Sequence, residues 1–159
     1  MTNEAMQDYE VPALPNPEDF SVAVCVASWN EDITNPLLEG ALGAFRLRGV
    51  SEDHIHVVRV PGSVELVNAA AWSIGRYKPS AVVVLGCVIR GETPHFDYVC
   101  QSVTQGVTLL NAKGETPVIF GLVTTENQLQ AQERAGGRLG NKGTEAAAAA
   151  ISMALMHRL

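Results

Sequence analysis

A histidine at position 95 is the residue best suited to chemistry, because its imidazole can accept and release protons near neutral pH. It follows Thr93 and Pro94, a pair typical of a helix start, with Thr93 as the capping residue and Pro94 at the first helical position. The free N–H groups and the positive dipole end of such a helix favour an anion such as phosphate. A solvated histidine at a helix start is the competing interpretation, and the residues alone favour it.

Polar residues also follow two other predicted strands. Trp29 and Asn30 come after one strand, and Ser63 and Glu65 come after another. Trp29 has a flat aromatic face on which a planar heterocycle can stack, but an aromatic residue in the core or in a subunit interface fits the sequence equally well. Glu65 can accept hydrogen bonds from ring N–H or hydroxyl groups, although the helix dipole alone favours a glutamate in the first turn of a helix.

Two basic residues flank a glycine-rich, flexible link at residues 136–140. Arg134 can hold a phosphate with its bidentate fork, and Lys142 can hold one as a point charge. Each of them alone is more commonly a solvated surface charge. Phe120 lies within a predicted strand and is expected in the core.

The elements that must position these residues alternate between strands and helices. Strands are predicted at residues 20–27, 55–60, 81–89 and 118–124. Helices are predicted at residues 36–49 with Thr34 or Asn35 as the cap, at 64–77, from Pro94 onward, at 126–134 and at 144–158. This order predicts a doubly wound α/β fold, in which a four-stranded parallel sheet carries helices on both faces. Ligands bind at the carboxyl edge of such a sheet.

The length of the chain predicts its domain organisation. A chain of 159 residues is long enough for one domain and short for two, so residues 20–159 are assigned to a single domain. Residues 1–19 contain three prolines among acidic and polar side chains, and they are predicted to form an extended or flexible arm.

Composition and charge exclude several classes of protein. The formal net charge is −6 and no cluster of Lys and Arg occurs, which argues against nucleic acid as a partner. No apolar run approaches a membrane span and the acidic N-terminus does not resemble a signal peptide, so a cytoplasmic location is expected. Cys25, Cys87 and Cys100 lack the paired spacing of a metal site and are predicted to be reduced and buried.

Several segments resemble those of the 6,7-dimethyl-8-ribityllumazine synthase family. They are Ser28-Trp29-Asn30, PGSVE at residues 61–65, VIRGETPHFDYV at 88–99, PVIFGLVTTENQLQAQERAG at 117–136 and GNKGTEAA at 140–147. The likeness covers nearly everything after Phe20, and the third and fourth segments are long and specific. It implies a flavodoxin-like, three-layer sandwich. It also implies condensation of 5-amino-6-(D-ribitylamino)uracil with 3,4-dihydroxy-2-butanone 4-phosphate, which releases phosphate and water without a metal or an organic cofactor.

The resemblance also implies roles for individual residues. His95 would be the proton carrier, and Trp29 would stack on the pyrimidine. The backbone of Glu92 and Thr93 would bind the butanone phosphate, and Arg134 would close on it. The other residues implied to contact the substrates are Asn30, Ser63, Val64, Glu65, Cys87, Val88, Ile89, Phe120 and Lys142.

The same comparison implies an assembly. In the family the site lies between adjacent subunits, so Phe120, Arg134 and Lys142 would come from a neighbour. The family forms pentamers, some of which close into icosahedral shells of sixty subunits, and the short link at residues 137–140 favours the shell. The resemblance also suggests riboflavin synthase as a partner. The alternative is a non-catalytic flavin or lumazine carrier, or a shell protein, on the same fold.

The chain departs from the family pattern at a few positions. Ser28 stands where many members have arginine, and Leu66-Val67 replaces the usual Ile-Pro pair. Trp29 replaces the commoner phenylalanine and resembles a subset of the family that also retains riboflavin. Riboflavin binding is therefore a further hypothesis for this chain.

Overall fold

A four-stranded parallel sheet forms the centre of the computed structural model, which describes residues 10–158. The strands lie in the order β2-β1-β3-β4 and comprise β1 (Val22–Ala27), β2 (Ile55–Val60), β3 (Ala81–Ile89) and β4 (Val118–Thr125). The longest is β3, which lies between β1 and β4 and is buried over its first seven residues. Its nearly continuous apolar sequence is what a strand covered on both faces requires. The predicted parallel sheet is confirmed.

In the described part of the chain, five α-helices cover the two faces of the sheet. They are α1 (Glu31–Leu47), α2 (Leu66–Tyr77), α3 (His95–Ala112), α4 (Gln128–Arg134) and α5 (Lys142–His157). Single 3-10 turns lie at Pro17–Asp19, Glu52–His54 and Ser63–Glu65. Among residues 10–158 no helix is both long and apolar enough to cross a lipid bilayer.

Strand β1 shows how the core divides into two layers. Val22, Val24 and Val26 pack with the buried residues of α1 and α5, whereas Ala23 and Cys25 pack with those of α2 and α3. Because successive side chains of a strand point to opposite faces, one apolar strand serves both layers. The result is the predicted three-layer sandwich with helices on both faces.

Helix α1 begins at Glu31 rather than at Pro36, so the predicted start was wrong. Asn30, in a left-handed conformation with φ 61°, caps the helix, and Pro36 lies inside it. A proline inside a helix removes one backbone N–H donor. Here the early turns also bury Ile33 and Thr34, which are 1% and 0% exposed, and this burial favours the helix over the loop that was predicted there.

The glycine-rich segment after α4 is an ordered ribbon rather than the predicted flexible link. Two short antiparallel strands, β5 (Ala135–Gly137) and β6 (Gly140–Asn141), pair with each other. Gly136 and Gly140 have φ angles of 97° and 84°, a region that glycine occupies without steric cost. Helix α5 then begins at Lys142 because the Asn141 side chain accepts hydrogen bonds from the N–H groups of Gly143 and Thr144.

The segment that precedes β1 contacts the core. Val11 and Leu14 are 7% and 6% exposed and belong to the layer that contains α1 and α5. The first nine residues of the predicted arm lie outside the described residues. The three cysteines are free; Cys25 and Cys87 are buried as predicted, whereas Cys100 is only half-buried.

Candidate active site

A pocket of about 600 Å³ opens at the carboxyl ends of β1, β2 and β3. Ten of the residues that the sequence proposed for a site line it: Trp29, Asn30, Ser63, Val64, Glu65, Cys87, Val88, Ile89, Thr93 and His95. Gly62, Gly91, Phe96 and Val99 also line it and were not proposed, because nothing in their types or spacing distinguishes them from ordinary turn and helix residues. The polar residues at these strand ends therefore lie together at one edge of the sheet.

Trp29 is presented to the pocket by the turn that follows β1. Its side chain is 74% exposed in the single chain, so it is not a core aromatic residue. Its backbone N–H donates to the carbonyl of Pro61, at 2.9 Å, which ties the end of β1 to the end of β2. The next residue, Asn30, donates its side-chain amide to the carbonyl of Cys87, at 2.9 Å, which ties the same turn to β3.

Ser63, Val64 and Glu65 form a single 3-10 turn before α2. A glycine in β3 permits this turn to approach the sheet, because a Cβ added at Gly86 would lie 2.7 Å from the Ser63 hydroxyl oxygen. Ser63 is 8% exposed, whereas Val64 is 45% exposed. The turn therefore offers backbone groups and one carboxylate at the mouth of the pocket.

The start of α3 forms another side of the pocket. Helix α3 begins at His95 and its N-cap residue is Pro94, so the predicted cap at Thr93 is shifted by one position. The Thr93 hydroxyl nevertheless accepts a hydrogen bond from the His95 N–H, at 3.4 Å. His95 is exposed in the first turn of an 18-residue helix, where the positive end of the helix dipole favours an anion.

Arg90 lies beside this pocket, but its guanidinium group already interacts with two carboxylates and an aromatic ring. Its Nε lies 2.8 Å from Glu126 and its Nη1 lies 3.6 Å from Asp97, while its guanidinium carbon lies 4.4 Å from the centre of the Phe96 ring. The hydrogen bond to Glu126 is the main reason that the pKa of Arg90 is raised. Among residues 10–158 no Lys or Arg lines the pocket itself, and Glu65 is its one acidic residue.

A second pocket, of about 350 Å³, contains three of the four remaining predicted residues, whereas Glu92 lines neither of these two pockets. Phe120, Arg134 and Lys142 line it together with Glu145. Phe120 is 43% exposed, so its expected place in the core was wrong. The Arg134 Nη1 donates to the carbonyl of Gln130, at 2.8 Å, which uses one of the five guanidinium N–H groups.

Glu145 is a residue of this second pocket that the sequence analysis missed. Its carboxylate lies 3.4 Å from the Lys142 ammonium group, one helical turn away. Spacing of three residues between a lysine and a glutamate is the signal that predicts such a pair. The two pockets share no lining residue, so a single chain does not bring Phe120, Arg134 and Lys142 to His95.

Cys87 lines the first pocket as a neutral thiol. Burial, with a smaller contribution from the negative charge of Asp32, raises the pKa of Cys87 to about 12. A thiol with so high a pKa is a poor nucleophile and a poor metal ligand near neutral pH. Within residues 10–158 no group of three or more His, Cys, Asp or Glu side chains is arranged to hold a metal ion.

A family model described as 6,7-dimethyl-8-ribityllumazine synthase matches residues 19–158 of this chain. The chain belongs to the 6,7-dimethyl-8-ribityllumazine synthase family. The 6,7-dimethyl-8-ribityllumazine synthase of Porphyromonas gingivalis is 51% identical over 154 residues, which cover 97% of this chain and 96% of that protein. That of Phocaeicola vulgatus is 50% identical over 93% of this chain and 88% of its own length. That of Flavobacterium johnsoniae is 44% identical over 98% of this chain and 82% of its own.

Family membership agrees with the fold and with the kind of site. Lumazine synthases act on small molecules and form oligomers, and the open pocket at the sheet edge is suited to small polar heterocycles. The family assignment rests on nearly the whole described chain, including both pockets, and not on one motif.

Proposed function

We propose that this chain is a 6,7-dimethyl-8-ribityllumazine synthase that acts in riboflavin biosynthesis. It condenses 5-amino-6-(D-ribitylamino)uracil with 3,4-dihydroxy-2-butanone 4-phosphate and releases phosphate and water. The observation that carries the proposal is the pocket at the carboxyl edge of the sheet, where Trp29, the Ser63–Glu65 turn and His95 meet in a chain that matches the family over residues 19–158.

The pyrimidine substrate occupies the side of the pocket that Trp29 and Glu65 line. An exposed indole offers an aromatic face for offset stacking on the pyrimidine ring. The Glu65 carboxylate and the backbone of the 3-10 turn provide acceptors and donors for ring N–H groups and ribityl hydroxyls. Val64 and the end of β3, at Cys87, Val88 and Ile89, form the apolar wall.

The butanone phosphate binds at the start of α3. Glu92 and Thr93 precede this helix, and its first turn has backbone N–H groups and a positive dipole end. Because no Lys or Arg lines this pocket and Arg90 is engaged by Glu126 and Asp97, a dianion there needs a cation from elsewhere. Arg134 and Lys142 of the second pocket provide suitable cations, because within the described residues each has one carboxylate partner, Glu133 at 3.9 Å and Glu145 at 3.4 Å, whereas Arg90 has two.

A neighbouring copy of the chain supplies the second pocket. The oligomeric nature of the family supports this arrangement, as does the separation of Phe120, Arg134 and Lys142 from the first pocket within one chain. Phe120, 43% exposed, would then be covered by the bound pyrimidine and the neighbour. The catalytic unit is therefore a pair of adjacent copies, and an isolated chain is inactive.

The chain accelerates the reaction mainly by holding the two reactants close together and in the orientation that the reaction requires. The pyrimidine amino group adds to the ketone and loses water to give the imine, and elimination then releases phosphate. The ribitylamino nitrogen condenses with the second carbonyl and closes the ring with loss of another water. His95 lies at the phosphate-binding helix start and moves protons in these steps. Proximity and orientation contribute much of the rate enhancement, because two reactants are converted into one bound assembly.

The assembly is a pentamer, and pentamers close into an icosahedral shell of sixty subunits. Support comes from the short glycine-rich ribbon between α4 and α5, which resembles that of the shell-forming members. Light scattering should give a particle near 1 MDa rather than about 85 kDa, the mass of five chains of 17.0 kDa. A pentamer-sized particle alone would contradict the shell but not the enzyme.

The activity is tested by lumazine fluorescence on mixing purified protein with both substrates. A blank without enzyme is required because the uncatalysed condensation also forms product. We expect saturable turnover by the native chain and loss of most of it in Arg134→Ala. Arg138→Ala is a matched control, because Arg138 is an exposed arginine of the ribbon that follows α4 and lines neither pocket. Native protein that only matches the blank would rule out the synthase.

A further inference from the structure

The turn between β1 and α1 contains one of two non-glycine residues with positive φ among residues 10–158. Asn30 has φ 61° and ψ 46°, and Lys78, at the end of α2, has φ 48° and ψ 53°. Asparagine tolerates this left-handed conformation better than most residues. Lys78 lies at the C-terminal end of α2 and lines neither pocket of the proposed site. Asn30, in contrast, lies next to Trp29 and lines the first pocket.

Beyond the end of β1, the Asn30 side chain provides the hydrogen bond to β3 that a further residue of β1 would otherwise make. The pairing of β1 with β3 ends at Val26 and Leu85, but β3 continues to Ile89. Cys87 lies where β3 still pairs with β4 but no longer pairs with β1, and its carbonyl accepts a hydrogen bond from the Asn30 amide at 2.9 Å. The amide therefore continues the β1–β3 connection beyond the last backbone pair.

Trp29 is consequently held from two sides. Its own N–H donates to the Pro61 carbonyl at the end of β2, and the following side chain is bound to Cys87 at the end of β3. The indole itself is 74% exposed, so packing within the chain does little to orient it. Its direction depends on the backbone of the turn.

We propose that Asn30 is a positioning residue, whose left-handed backbone and amide bond to Cys87 set the orientation of Trp29 toward the pyrimidine. This inference rests on the proposed function. It assigns the Asn30 amide to the protein rather than to a substrate, in contrast to the substrate contact that the family resemblance implies. It also explains why Asn30 precedes a helix without forming a side-chain cap hydrogen bond.

The test uses three substitutions in a Trp72→Phe background, where Trp29 is the one remaining tryptophan. Asn30→Asp keeps the shape and the tolerance for positive φ but removes the amide donor. Asn30→Gly keeps the backbone freedom and removes the side chain, and Asn30→Ala loses both. Lys78→Ala is the control, because it introduces an alanine at a comparable left-handed position away from the pocket.

Two quantities are measured for each variant: the emission anisotropy of Trp29 and the steady-state constants for the pyrimidine substrate. For Asn30→Asp and Asn30→Gly we expect lower anisotropy and a KM raised by about threefold to tenfold, the range for one lost hydrogen bond. The KM for the butanone phosphate should stay unchanged. Lys78→Ala should leave anisotropy and both KM values unchanged, whatever it does to thermal stability.

The proposal is overturned if Asn30→Asp and Asn30→Gly keep native anisotropy and native KM, or if Lys78→Ala changes both as much as Asn30→Ala does. Failure of the proposed function would look different. In that case the native chain would not exceed the uncatalysed blank, while the anisotropy comparison would still report whether Asn30 orients Trp29.

Discussion

His95 lies in the first turn of the helix that we propose binds the butanone phosphate. In the proposed mechanism it only assists proton transfer, because the pocket already holds the two reactants together. Proximity alone can supply a large part of the acceleration. A substitution at position 95 should therefore slow the enzyme without stopping it.

His95→Ala is expected to lower kcat by more than about tenfold and to leave turnover above the uncatalysed blank, since acid–base groups contribute roughly 10²- to 10⁴-fold. His157→Ala is the control, because His157 is an exposed histidine at the end of α5 that lines neither pocket of the proposed site. A fall in kcat smaller than about twofold would remove His95 from the role of proton carrier.

Cys87 is predicted to remain a thiol throughout the working pH range. Burial raises its pKa to about 12, whereas an unfolded cysteine ionises near pH 8.5. Above about pH 8.5 the folded chain therefore keeps a proton that the unfolded chain loses. The free energy of unfolding is at its full value below about pH 8.5 and falls as pH rises toward 12.

Alkylation with iodoacetamide at pH 8, followed by peptide mass spectrometry, should leave Cys87 unmodified in the native protein and modified in a urea-unfolded control. Equal rates in the two samples would contradict a buried, protonated Cys87.

The sequence predicted the positions of single residues well where those positions follow from the strand order. Trp29, Ser63 and His95 follow strands whose ends meet at one edge, so their convergence needs only the topology. Phe120 was wrongly expected in the core, and Glu145 was not proposed at all. Their surroundings depend on how β4 and α5 lie in the folded chain. Local sequence carries little information about such tertiary surroundings.

Among the elements, β3 positions the site because of a glycine at its centre. Gly86 lets the Ser63–Glu65 turn and α2 approach the sheet, since a Cβ there would also lie 2.8 Å from Leu122 and 3.0 Å from Leu66. Two of these three neighbours are the ends of leucine side chains and can shift, whereas Ser63 lies in the turn that lines the pocket.

Gly86→Ala is expected to destabilise the protein by about 1–3 kcal/mol through overpacking and to raise the KM for the pyrimidine. Gly75→Ala is the control, because among the described residues a Cβ placed at Gly75 has no neighbour within 4 Å beyond the adjacent residues and the helix's own backbone, and the residue lies in the last turn of α2. Alanine there should stabilise by about 0.5–1 kcal/mol. Urea unfolding measures both changes; a Gly86→Ala protein as stable as Gly75→Ala would contradict the close approach.

The elements themselves were largely predictable, and the exceptions have physical causes. The bounds of β2 and β3 agree with prediction because apolar, β-branched runs end at clear turn signals. The start of α1 was missed because Pro36 was taken as a first helical residue, whereas burial of Ile33 and Thr34 extends the helix before it. The glycine-rich ribbon was missed because pairing of two very short strands has no periodic signal.

At the scale of the whole molecule, the two pockets are separate in one chain and chemically complementary. One contains the exposed Trp29 and the helix start with His95, and the other contains Arg134 and Lys142. The separation predicts that the subunit interface completes the site. Family membership establishes oligomers in general, but the sequence of one chain cannot show which surfaces meet.

Complementation between two damaged variants tests the central claim most directly. His95→Ala and Arg134→Ala are purified separately, dissociated, mixed in equal amounts and reassembled, and lumazine formation is compared with each variant reassembled alone. If His95 and Arg134 act from adjacent copies, random assembly restores about a quarter of the sites, because each site needs an intact residue from either side. Turnover should then rise well above the mean of the two variants. A mixture that shows only that mean, from fully reassembled particles, would contradict a site shared between two copies.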